Sequence, residues 1–164
     1  MALKLMYITN RPDVAVIAEN NGVDRIFVDM EYIGKAERQG GLDSVQNHHT
    51  IEDVRAVRAA VKKAELLVRV NPIHDELHPS SDRKENAEIQ FPCSVMEDCP
   101  SSEEEIESVI EAGADIIMLP YFKTIEEIDR FLKIVDGRTK TMLLLETKEA
   151  AALLDTILEM DGID

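Results

Sequence analysis

Short apolar runs alternate with amphipathic stretches along the whole chain. The runs are Leu3–Ile8, Arg25–Met30, Leu66–Val70, Ile116–Leu119 and Thr141–Leu145. They are nearly continuous in Leu, Ile, Val and Met, as expected of parallel strands covered on both faces. The stretches between them read as helices with legible starts. Thr50 and Asp53 open one that carries Val54, Val57 and Val61 at helical spacing. Ser102 with Glu105 opens a second, with Ile106, Val109 and Ile110 inward, and Thr124 with Glu127 opens a third. In each, a hydroxyl and a carboxylate three residues apart can satisfy backbone donors that a helix start leaves unbonded. The same apolar rhythm predicts a first helix near residues 12–21 and a fifth near 148–159. Strands alternating with helices at this spacing imply right-handed βαβ units and a parallel sheet.

The passage from helix to strand repeats. Gly22-Val23-Asp24 precedes the second run, Gly113-Ala114-Asp115 precedes the fourth, and Gly162-Ile163-Asp164 closes the sequence. Glycine suits the left-handed residue just past a helix end. Five βα units leading to the entrance of a sixth predict a (β/α)8 barrel cut short, a closed barrel needing roughly 250 residues. An open doubly wound sheet is the alternative, although no G-x-G-x-x-G follows the first strand. The whole chain, 1–164, reads as a single partial barrel domain. One polar, proline-punctuated segment, about 75–100, interrupts the rhythm after the third strand. A lid over the mouth and a surface insertion are both open readings of it.

Composition narrows the function. The chain has 164 residues, of which 45% are hydrophobic and 31% charged, with a formal net charge of −15. That length suits one domain, and that charge repels phosphate backbones, so nucleic acid is not an expected partner. No apolar run reaches the length needed to cross a bilayer, so no membrane partner is expected. The N-terminus does not read as a secretory signal. Cys93 and Cys99 do not make a disulfide framework, which suits a cytoplasmic protein.

Chemistry in a barrel gathers at the C-terminal ends of its strands. Those ends read Thr9-Asn10, Asp29-Met30-Glu31, Arg69-Val70-Asn71, Leu119-Pro120 and Glu146. Glu31 and Glu146 are hard oxygen ligands suited to Mg²⁺ or Mn²⁺. A 2-oxo acid chelated there would be polarised for enolate formation, with Arg69 supplying positive charge beside the oxygen. Each residue also has a plain structural reading: Asp29 and Glu31 as an acidic pair closing a strand, Arg69 as their ion-pair partner, Glu146 as a solvated carboxylate at a helix start. His48 and His49 precede the second helix, and one of them in the mouth would serve as a general base. Lys35 and Arg38 form a basic patch that would attract an anionic substrate.

Taken together, Asp29-Met30-Glu31 after Gly-x-Asp, Arg69 on the next strand, Gly113-Ala114-Asp115-Ile116-Ile117-Met118-Leu119-Pro120 and Leu145-Glu146-Thr147 resemble the HpcH/HpaI aldolase and citrate lyase family. The resemblance covers nearly the whole chain outside the segment around 75–100. It implies a (β/α)8 barrel that binds Mg²⁺, Mn²⁺ or another divalent cation. It further implies cleavage or formation of carbon–carbon bonds in 2-oxo acids or acyl-CoA esters. It assigns Glu146 as a metal ligand, with Glu31 beside it, and Arg69 as the stabiliser of the enolate. Asp29 joins Arg69 in the catalytic set, with His48 as acid–base candidate. Arg38 and Asn71 are the expected substrate contacts. The resemblance also implies a homo-oligomer and a small anionic substrate. Two departures stand out. Tyr32 follows the acidic pair where the aldolase branch has a histidine, and the family's second metal carboxylate comes from a sixth strand that this sequence does not include. A non-catalytic homologue acting as a binding or assembly partner is the alternative reading.

Overall fold

The computed structural model describes residues 3–33, 49–74 and 100–164. Its five strands are β1 (Met6–Ile8), β2 (Arg25–Asp29), β3 (Glu65–Arg69), β4 (Ile116–Leu119) and β5 (Lys140–Leu143). They form one parallel sheet in the order β1-β2-β3-β4-β5. Each strand pairs with the one before it, with no reversal of direction across the sheet. A doubly wound sheet turns back at a switch point; this one advances steadily, as the wall of a barrel does.

The helices among the described residues are α1 (Pro12–Asn20), α2 (Ile51–Ala60), α3 (Ser102–Glu111), α4 (Ile125–Val135), α5 (Lys148–Ala152) and α6 (Leu154–Ile157). In the outer layer α1 packs on α2, α2 on α3, and α3 on α4. Side chains alternate across a strand, and the two faces of the sheet accordingly carry separate cores. Ile26, Val28, Leu66, Val68, Ile117 and Leu119 pack with the helices. Leu67, Ile116 and Met118 pack with Phe27, Met142 and Leu144 on the opposite, inner face.

The Gly-x-Asp joins have a definite structural purpose. Gly22, Gly113 and Gly162 take φ of +87°, +86° and +88°, which a side chain would strain. Each following aspartate then grips the neighbouring strand twice. The Asp24 carboxylate accepts the Leu5 N–H at 2.9 Å, while its own N–H donates to the Leu5 carbonyl. Asp115 does the same to Leu66, and Asp164 to Thr141. The tripeptide is thus a register device, used three times.

Three expectations are corrected. The capping box of α3 is Ser101 with Glu104, one residue earlier than the sequence suggests; Ser102 and Glu105 are instead buried. Both spacings satisfy the capping pattern, and the burial of the Ser102–Glu105 face decides between them. The fifth helix divides at Leu153, whose N–H bonds to the Ala150 carbonyl three residues back rather than four. The regular strands are also shorter than three of the apolar runs, β1 beginning at Met6, β2 ending at Asp29 and β5 ending at Leu143. Among the described residues no helix is long and apolar enough to cross a membrane. The 75–100 segment, with Cys93 and Cys99, lies outside the described residues apart from Pro100.

Candidate functional site

Register brings the strand-end residues together. Asp29 is level with Arg69, and Arg69 with Met118, in one row across the sheet. Asp29 and Arg69 share the inner face of the sheet with Phe27 and Leu67, since each lies two residues beyond one of them. Arg69 donates Nε to Oδ1 and Nη2 to Oδ2 of Asp29, both at 2.8 Å. Its third nitrogen, Nη1, lies 3.3 Å from Oε2 of Glu31. Asp29 and Glu31 are 1% and 2% exposed, so these charges meet away from water. Burial works against the Arg69 charge, but the Asp29 bonds and the attraction of Asp29, Glu31 and Glu146 outweigh it and hold the guanidinium above its ordinary range. The Phe27 ring lies under the guanidinium, 5.5 Å from centroid to Cζ.

Glu146, beyond β5, makes its charge felt at Arg69. Its Oε1 accepts the Tyr121 N–H at 3.0 Å. Tyr121 holds φ +50°, an uncommon conformation for a bulky residue, in the turn after Leu119-Pro120. Thr147, next to Glu146, caps α5 and bonds to the Phe122 carbonyl, so the carboxylate stands on a chain segment fixed at both ends of the β4 turn.

Asn71 is not displayed at the mouth; it is 2% exposed and occupied by main chain. Its Oδ1 accepts the N–H groups of Tyr32 and Ile33, both at 2.9 Å. Its Nδ2 donates to Glu105 Oε1 at 2.8 Å, and its own N–H reaches both Glu105 oxygens. Burial pushes the Glu105 carboxyl up to about 7, opposed by the charge of His74 and the Asn71 bonds. His74 is held by Ser102, its N–H donating to the hydroxyl and its ring Nδ1 lying 3.0 Å from the same atom. Sequence reasoning missed Glu105, Ser102, His74 and Tyr121. The signal for Glu105 was present: it shares a helix face with Ser102, three residues before it, and Val109, four after it.

His48, Lys35 and Arg38 lie outside the described residues. His49 is described, and its Nδ1 accepts the Asp29 main-chain N–H at 2.9 Å, which puts the ring's proton on Nε2. Among the described residues no group of three His, Cys, Asp or Glu side chains is arranged to hold a metal. In donor chemistry alone, the carboxylates of Glu31 and Glu146 suit a hard divalent cation. Mg²⁺ keeps several waters and takes one or two protein carboxylates. The Arg69 guanidinium meets two carboxylates, Asp29 and Glu31, and also feels the charge of Glu146, an acidic balance that a divalent cation would offset.

No protein-family model and no curated protein matches the chain. Solved structures do. An HpcH/HpaI aldolase/citrate lyase family protein from Burkholderia cenocepacia J2315 superposes with a TM-score of 0.63 at 14% identity, over 98% of this chain and 61% of its own. The HpcH/HpaI aldolase from Desulfitobacterium hafniense DCB-2 does so with 0.59 at 15% identity, over 98% and 60%. Citrate synthase SbnG gives 0.58 at 16% identity, over 98% and 58%. The chain thus spans about three-fifths of the length of these proteins. Over that span it has their fold, the α/β barrel wall of the HpcH/HpaI aldolase and citrate lyase structures.

Proposed function

We propose that the chain carries part of the active site of a metal-dependent carbon–carbon lyase. The substrate would be a small anion, a 2-oxo acid or an acyl-CoA-type ester, reacting through an enolate. The observation that supports this most is the meeting of Glu31 and Arg69 beyond the ends of neighbouring strands, with Asp29 fixing a guanidinium that also feels the charge of Glu146. Glu31 and Glu146 would hold Mg²⁺, Mn²⁺ or another divalent cation, which when bound supplies Lewis-acid polarisation of a carbonyl.

The chain's own residues have distinct tasks. Arg69 presents preorganised positive charge where negative charge develops on the substrate oxygen. Asp29 restrains that guanidinium through two hydrogen bonds, so that little reorganisation accompanies the reaction. Asn71, expected as a substrate contact, would serve the site by holding the main chain after Glu31. His48 as acid–base group and Arg38 as substrate contact belong to the proposal on the strength of the sequence alone, as do the cytoplasmic setting and a homo-oligomer.

Oxalate, a planar dianion shaped like pyruvate enolate, tests the reading. Mn²⁺ and oxalate should each tighten the other's binding, since linkage is reciprocal, and Glu146→Ala should weaken both. Independent binding of the two, or none, would remove the support for enolate chemistry.

A further inference from the structure

The residues after Glu31 are held by a chain of contacts that begins on the outer helix layer. Ser102 and Glu105 occupy one buried face of the first turns of α3. Ser102 fastens His74, and Glu105 grips Asn71 through both its main-chain N–H and its amide Nδ2. An asparagine amide is nearly symmetric in shape but not in hydrogen bonding. With its nitrogen turned to Glu105, its oxygen must face the opposite way. There it receives two successive main-chain N–H groups, Tyr32 and Ile33. Tyr32 is the next residue after Glu31, whose carboxylate meets Arg69.

We propose that Glu105 is a positioning residue of the site: through Asn71 it fixes the peptide after Glu31 and so sets where the Glu31 carboxylate stands against Arg69. The inference rests on the proposed metal-dependent site for its functional consequence, while the positioning itself rests on geometry alone. Glu105 touches no residue of the Asp29–Glu31–Arg69 cluster directly in any of these bonds; it acts through one intermediary. Partners behind a metal ligand commonly change affinity by about 10–100-fold when removed.

The test uses the full chain and two readouts, hydrogen exchange of main-chain amides and Mn²⁺ affinity by electron paramagnetic resonance. In Glu105→Leu, exchange at Tyr32 and Ile33 should accelerate relative to the β2 strand amides, and Mn²⁺ affinity should fall about tenfold. Glu105→Gln keeps an oxygen for Asn71 Nδ2 and should restore both. Adding Asn71→Ala to Glu105→Leu should weaken Mn²⁺ no further than Asn71→Ala alone, because the two act in series. Unchanged exchange at Tyr32 and Ile33 in Glu105→Leu, or additive losses in the double variant, would overturn the inference. Should Glu105→Leu not fold, Asn71→Ala decides it, with retained protection at Tyr32 and Ile33 as the overturning result. A wild-type protein that ignores Mn²⁺ would count against the proposed function and leave the exchange comparison intact.

Discussion

Arg69 and Asp29 are partners twice over: they are level in the register of β3 and β2, and their side chains close a two-bonded ion pair with both distances at 2.8 Å. The same guanidinium reaches Glu31, so one cation is shared between two buried carboxylates. Truncating Arg69 to Met would leave both carboxylates buried without it. Removing one member of a buried ion pair costs about 3–5 kcal/mol. Urea unfolding of Arg69→Met should show a loss of that order. Arg69→Lys should recover little of it, since a lysine cannot reproduce the planar fork. Wild-type stability in Arg69→Met would show that the pair contributes nothing to folding.

The Gly-x-Asp joins allow a paired comparison. Gly22 and Gly113 have the same positive φ, but a Cβ at Gly22 meets nothing within 4 Å, whereas one at Gly113 meets Arg58 Cγ and Cδ at 3.2 Å. Backbone strain of about 1–3 kcal/mol applies to both alanine variants. Gly113→Ala should therefore lower the melting temperature more than Gly22→Ala. Equal shifts would mean that the Arg58 side chain moves aside at no cost.

Glu105 gives stability a pH dependence of definite sign. Its folded pKa, about 7, lies above its ordinary value of 4.5, so between these the folded state binds the extra proton. Stability from this group is therefore greatest below 4.5 and declines as pH rises through 7, by up to about 1.4 kcal/mol per unit. Urea midpoints of wild type and Glu105→Gln, compared from pH 4.5 to 7.5, should diverge in favour of the variant as pH rises. A constant difference across that range would show that Glu105 stays charged in the folded protein.

Glu146 should separate function from stability. It is exposed and makes one hydrogen bond, to the Tyr121 N–H, worth about 0.5–1.5 kcal/mol. Glu146→Ala should unfold close to wild type in urea yet lose most of its Mn²⁺ affinity. A variant that binds Mn²⁺ normally would take Glu146 out of the ligand set.

The fold was largely legible because barrel strands covered on both faces leave continuous apolar runs, and because Gly-x-Asp marks the strand entrances. Strand-end polarity also brought forward Asp29, Glu31 and Arg69, whose side chains meet in one ion-pair cluster. The sequence could not show that Asn71 turns away from the mouth, since an asparagine at a strand end looks the same whether it meets a ligand or a backbone. Glu105 was hidden by a competing pattern. Ser101–Glu104 and Ser102–Glu105 both have capping spacing, and only the packing of α3 against residues 71–74 decides which pair turns inward.

Under the proposed function, Glu31, Arg69 and Glu146 together stabilise an enolate. Exchange of the pyruvate methyl protons with deuterated water, followed by proton magnetic resonance, tests it most directly. Exchange should require Mg²⁺ or Mn²⁺, fall steeply in Arg69→Lys and disappear in Glu146→Ala. Absence of exchange in the folded, metal-supplemented protein, or exchange that persists in Glu146→Ala, would contradict it.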